Sequence, residues 1–323
     1  MDSMDLKDLQ FFVLRGTLSD LSVFDFSKYN AKIQNVSDPK FKEFLDQYPS
    51  PFGIDHNWDV FQEYLDEVKG TENIYALFPI NLTKQFSEDE LYQCFNVLLL
   101  LFPSDLTINY IIDFQLIDNK QLSYSGHADY GFHSTGYEDY YENYTFVQEN
   151  YLDEVNEFIS IFKTRYKRIK YLHNALESYA ASFRYLKIHQ CYLDLCISME
   201  SIIEGSNEIL YRIKHHIAVL CAENEYRAKT IFNNLNKIYS LRSKIIHGES
   251  YDYNKVVEYL PYLRSLVSRM IIELILLNIP DRRILDKVLS FAGYNKQPNL
   301  SSEYKELTLN ISSYVNTFTK ELK

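Results

Sequence analysis

Apolar positions along the chain follow two different rhythms. In the first 150 residues they come in short runs rich in β-branched and aromatic side chains, and after about residue 147 they recur every three or four residues. The first rhythm predicts strands at "LQFFVLRGTL" (9–18), "NIYALFPINL" (73–82) and "TINYIIDFQLID" (107–118). Between the last two, "FSEDELYQCFNVLLLLF" reads as a helix. Ser87 and Glu90 stand at capping-box spacing, and Pro103 ends the run. The Tyr-, Gly- and acid-rich stretch 124–144 has no clear period and reads as a loop or irregular hairpin with the makings of a contact surface. It holds His127, Asp129 and His133, a combination that in a loop more often means nothing than a metal site.

The second rhythm predicts helices near 148–168, 170–187, 188–204, 207–222, 225–247, 253–278 and 281–292, with a further one inside 301–321. Pro261 is expected to kink the sixth or to mark its true start. The expected architecture is an α+β domain over 1–147 followed by an all-α bundle over 148–323.

Two helical stripes carry a misplaced charge. Ile231, Leu235, Ile238, Arg242 and Ile245 share one face, which Phe232, Tyr239 and Ile246 widen. On the earlier helix, Leu193, Cys196, Glu200 and Ile203 do the same, flanked by Leu195, Met199 and Ile202. A charge on a packed face is costly unless it is paired or borders a cleft, so Glu200 and Arg242 are expected to meet. His247 follows Arg242 by five residues, ~140° round the helix. Gly248 supplies a helix stop, and the negative end of the helix dipole favours the protonated form of a terminal histidine.

Composition and charge narrow the options. The chain of 323 residues has no apolar run long enough to span a membrane and opens on an acidic "MDSMDLKDLQ" without a signal pattern, so a cytoplasmic protein is expected. Cys94, Cys191, Cys196 and Cys221 lack zinc-ligand spacing and read as reduced thiols, with no metal or cofactor. Residues 1–150 contain 9 Lys and Arg against 25 Asp and Glu, net −16; the whole chain is −11, so the remainder is +5. A polyanion is repelled by the first part and tolerated by the second.

"YSLRSKIIHG" (239–248) resembles the R-x(4–6)-H signature of HEPN domains, and its setting is similar to the Apea-like HEPN family. There a helix bearing an acid ("CISMESIIE") precedes a helical segment ("LYRIKHHIAVLC") and then "NLNKIYSLRSKIIHGES". The match covers roughly residues 170–280. The resemblance implies a helical bundle that forms homodimers, with two motifs meeting in one cleft, and a metal-independent endoribonuclease. It also implies a toxin or antiphage-defence effector, such as an abortive-infection protein.

In that reading Arg242 holds phosphoryl oxygens and His247 moves protons. Glu200, Ser243, Tyr239, Lys244 and Gly248 support them. Many HEPN proteins carry Asn, Asp or His directly after the arginine; here it is Ser243, polar but smaller. His215 and His216, with Lys214 and Arg212, extend a basic rim or simply make a solvated helix polar. RNA is the expected partner, with a protein trigger or inhibitor at the acidic half. The alternatives are a non-catalytic HEPN module that binds or dimerises, and a nucleotide-binding cleft.

Overall fold

A computed structural model describes residues 6–17, 20–52, 56–67, 73–84, 87–103, 106–129, 152–184, 187–203, 208–293 and 321–322. The chain divides into two compact units, residues 1–160 and 161–323.

The first unit is built on a five-stranded antiparallel sheet. Its strands are β1 (Leu6–Thr17), β2 (Ala31–Asn35), β3 (Asn73–Pro79), β4 (Thr107–Ile117) and β5 (Gln121–Asp129), in the order β2-β3-β1-β4-β5. β1 lies at the centre, and from Phe11 to Leu14 both of its faces are apolar and buried, as a strand covered on two sides requires. Leu9, Phe11 and Val13 join Ile112 and Phe114 in a core with Phe41 and Leu45 of α1 (Pro39–Asp46) and Phe61 of α2 (His56–Glu67). Phe12 points the other way and packs on Tyr92 of α3 (Glu88–Leu101), ring centres 4.7 Å apart. α3 begins directly after Ser87, but the serine side chain makes no capping bond; its carbonyl accepts the Glu90 N–H instead.

The sequence pattern missed part of this unit. The stretch 124–144, expected to be a loop or irregular hairpin, begins inside a hairpin strand: residues 121–129 form β5, paired antiparallel with β4 from Ile117↔Gln121 to Tyr110↔Asp129 with a bulge between Asp113 and Phe114. The pairing is carried by main-chain bonds that a Gly- and Ser-containing segment makes as well as an apolar one. His127 therefore sits on an edge strand, with its Nδ1 2.8 Å from the Tyr124 hydroxyl. Residues 130–144, with His133, lie outside the described residues.

α4 (Leu152–Arg168) crosses the division between the units. The second unit continues with α5 (Leu172–Ala181), α6 (Ile188–Glu200), α7 (Ile209–Cys221), α8 (Glu225–His247), α9 (Tyr253–Leu277) and α10 (Arg282–Phe291). Each matches a span expected from period; the span 301–320 falls outside the described residues. Pro261 lies inside α9, which runs through it from Tyr253.

α7 and α10 run side by side in the same direction. Arg212 pairs with Asp286, the His215 ring meets the Leu289 carbonyl at 3.2 Å, and His216 Nε2 lies 3.3 Å from Ser290 Oγ. His216 is 2% exposed, so it is part of the packing and neither a basic rim nor a solvated face. Burial holds its pKa down to about 4; Asp286 pulls upward, while His215 and Arg212 push further down. The unfolded chain therefore takes up a proton near pH 6.5 that the folded chain refuses until about pH 4. Stability is full above pH 6.5 and declines as pH falls through that window. This group should cost about 2 kcal/mol between pH 7.5 and pH 5. Urea titrations at the two pH values should show that loss in the wild type and a smaller one in His216→Asn.

Candidate functional site

The sequence places an acid and a base on two packed stripes, and the fold brings them together. Tyr192 of α6 donates its hydroxyl hydrogen to the Ile238 carbonyl of α8 at 2.9 Å. Two turns further along α6, Glu200 meets Arg242, one turn further along α8. The Arg242 Nη2 lies 3.0 Å from Glu200 Oε1 and 3.1 Å from Oε2. The two helices thus run the same way at this seam.

The pair occupies the rim of the bundle. The Glu200 and Arg242 side chains are 30% and 28% exposed, so neither is fully desolvated. Burial still raises the Glu200 carboxyl above its ordinary value, against the lowering effect of the Arg242 charge and hydrogen bond. Beneath the pair, Cys196 is fully buried, and that burial pushes its thiol well up; the nearby Glu200 adds to the effect. Such a thiol is a packing group, and all four cysteines are buried and outside disulfides.

Tyr239 belongs to this packed layer and is only 8% exposed. Its hydroxyl is enclosed without a hydrogen-bond partner among the described residues, and burial raises its pKa well above normal. It lies beside Cys196 in that layer, with the Glu200 and Arg242 charges close by. The stripe of α8 also ends sooner than its period implies. Ile245 is half-buried, while Ile246 is 48% exposed, because the last turn leaves the bundle. Ser243, Lys244 and His247 are exposed there too.

The end of α8 is sharply defined. Gly248 takes the left-handed conformation at φ 68°, ψ 22°. Its N–H bonds back to the Ile245 carbonyl at 3.3 Å, and the Glu249 N–H reaches the Lys244 carbonyl at 2.9 Å. That is the paired closure of a Schellman motif. It leaves His247 as the last helical residue, and its imidazole makes no hydrogen bond or ion pair among the described residues.

The structure therefore joins Glu200 to Arg242 directly and sets Ser243, Lys244 and His247 on the exposed turn that follows. Among the described residues, no group of three or more His, Cys, Asp or Glu is placed to hold a metal ion. No helix among them is long and apolar enough to cross a membrane.

Sequence reasoning missed two other polar features. Arg269 and Glu273 form an ion pair within α9, with Glu273 fully buried; their i,i+4 spacing was the available signal. In the first unit, a cavity of about 420 Å³ is lined by Asp8, Gln10, Leu91, Asp113 and Ser125. Its polar groups are tied across strands, Gln10 to Asp113 at 3.0 Å and Gln115 to Asp8 at 3.2 Å. Searches of the chain against protein families, characterised proteins and solved structures find no match.

Two substitutions test this geometry. Gly248→Ala meets no atom within 4 Å of its new Cβ, so its cost is backbone strain alone, about 1 kcal/mol by chemical denaturation. Glu200→Ala and Arg242→Ala should couple by about 0.5–1 kcal/mol in a double-mutant cycle, the range of a rim ion pair; additive losses would show that the contact contributes nothing.

Proposed function

We propose that the second unit is a HEPN-type, metal-independent endoribonuclease, with Arg242 and His247 as one half of a composite site completed by a second copy of the chain. The observation that carries the reading is the position of Arg242. It stands at the rim of the bundle, held by Glu200 through Nη2, with its side chain 28% exposed and its Nε enclosed without a hydrogen-bond partner among the described residues. A planar guanidinium with donors to spare suits the oxygens of a phosphodiester.

The exposed His247 ends the same helix, where an RNA strand can reach it. As base it takes the proton of a ribose 2′-hydroxyl, whose oxygen then forms a bond to the adjacent phosphorus. The bond from phosphorus to the 5′-oxygen breaks, and the histidine of the second copy returns a proton to that leaving oxygen. Arg242 stabilises the charge that builds on the non-bridging oxygens. Lys244 and Ser243, exposed on the same turn, add phosphate contacts. The apolar Ile197 and Ile246 lie within a turn of Glu200 and Arg242 and are 46% and 48% exposed, which suits a face that meets a second copy. The acidic first unit, by its charge, is cast as the sensing or regulatory part, and a defence effector or toxin acting in the cytoplasm is the matching role.

A second reading has its own support. The Glu200–Arg242 pair joins two helices, so the motif could serve architecture within a binding or dimerisation module. The two readings separate on the histidine. With single-stranded RNA of mixed sequence and excess EDTA, His247→Ala should lower the cleavage rate at least about a hundredfold while leaving the melting temperature unchanged. Equal cleavage by both proteins would remove this site as the catalyst. Destabilisation by Arg242→Ala with a silent His247→Ala would favour the architectural role.

A further inference from the structure

α8 makes a contact that the ribonuclease reading does not use. Asn234 and Lys237 stand three residues apart, one turn, and both hold the same distant residue. The Leu322 N–H donates to Asn234 Oδ1 at 3.0 Å, and the Lys237 ammonium donates to the Leu322 carbonyl oxygen. The Leu322 side chain is itself 1% exposed. One residue thus has its main-chain donor, its main-chain acceptor and its side chain all engaged.

This is how a protein holds a peptide segment. Side-chain amides and ammonium groups replace the bonds that water would give the main chain, and one apolar side chain sets the specificity. Asn234 is 1% exposed on a helix whose neighbouring positions, Ile231, Leu235 and Ile238, are fully buried. An amide buried there needs partners, and the Leu322 N–H is one of them.

We propose that α8 carries a peptide clamp for a leucine-bearing segment, and that its occupant is the chain's own Leu322, which straps down the helix that ends in Arg242 and His247. Lys237 precedes Arg242 by five residues, ~7.5 Å along the axis. Fastening α8 at that point restrains the turns on which Arg242 meets Glu200. An aspartate at 322 would put a charge where a leucine is enclosed, so the clamp discriminates against it. The strap does not rest on RNA cleavage, and its test reads no RNA.

The test is hydrogen exchange on the full-length protein. Leu322→Asp should raise exchange at the α8 amides between 234 and 247 at least about tenfold, and Leu322→Met should leave it near the wild-type rate. An excess of a synthetic peptide with the sequence of residues 314–323 should restore the protection lost in Leu322→Asp. The same peptide with aspartate at the leucine position should not. Unchanged exchange in Leu322→Asp, or equal rescue by both peptides, overturns the clamp. Protection in the wild type that falls on dilution assigns the occupant to a second copy and overturns the strap in cis. Should Leu322→Asp lose protection throughout α9 as well, Lys237→Ala decides. Its side chain lies on the exposed side of α8, and a rise of about threefold or more confined to that helix supports the clamp, while no rise overturns it.

Discussion

Arg242 can occupy the apolar face of α8 only because Glu200 arrives opposite it. At this rim, where both side chains keep solvent contact, losing the counter-charge costs on the order of 1 kcal/mol. What brings the acid into place is an earlier contact, the Tyr192 hydroxyl on the Ile238 carbonyl, which sets the register of α6 against α8. The remaining features of the site follow from that register. Cys196 and Tyr239 fill the layer beneath, the ion pair sits at the rim, and the last turn of α8 runs on past the bundle until Gly248 stops it.

Much of this was legible in the sequence because a helix converts spacing into direction. Positions 231, 235, 238 and 242 declare one face, 196, 200 and 203 declare another, and a glycine after a run of good helix formers declares an end. Spacing does not say where along its length a helix stops touching its neighbours. Ile246 continues the stripe of Tyr239 in period and is exposed all the same. Nor does it show what covers the opposite face. The pair His215–His216 reads as a solvated or basic rim in the sequence, yet α10 packs over it and makes His216 interior.

The first unit shows the same limit for strands. β3 was readable as a nearly continuous buried run, β1 by its apolar centre Phe11–Leu14, and β4 by its β-branched and aromatic residues with buried positions recurring along it. β5 was not, since an edge strand needs only main-chain pairing with β4 and can carry Ser, Gly and His. β2 and α1 also lay below the threshold. β2 is five residues long, and α1 announces itself only by Asp38, whose side chain accepts the Lys40 N–H, and by Pro39 in its first turn.

The positive balance of the second half of the chain also changes meaning once the structure is known. Several of its arginines serve carbonyls at helix ends: Arg165 those of Ile275 and Leu276, Arg264 that of Ser182, Arg282 that of Ser201. Arg212 and Arg269 are matched by carboxylates. These charges hold the bundle together and add little to the field that a polyanion would meet outside it. On the ribonuclease proposal, the attraction offered to an RNA strand is therefore local, set by Arg242 and Lys244 near the end of one helix. Net charge counted along the sequence overstates the reach of that attraction and says nothing of its position.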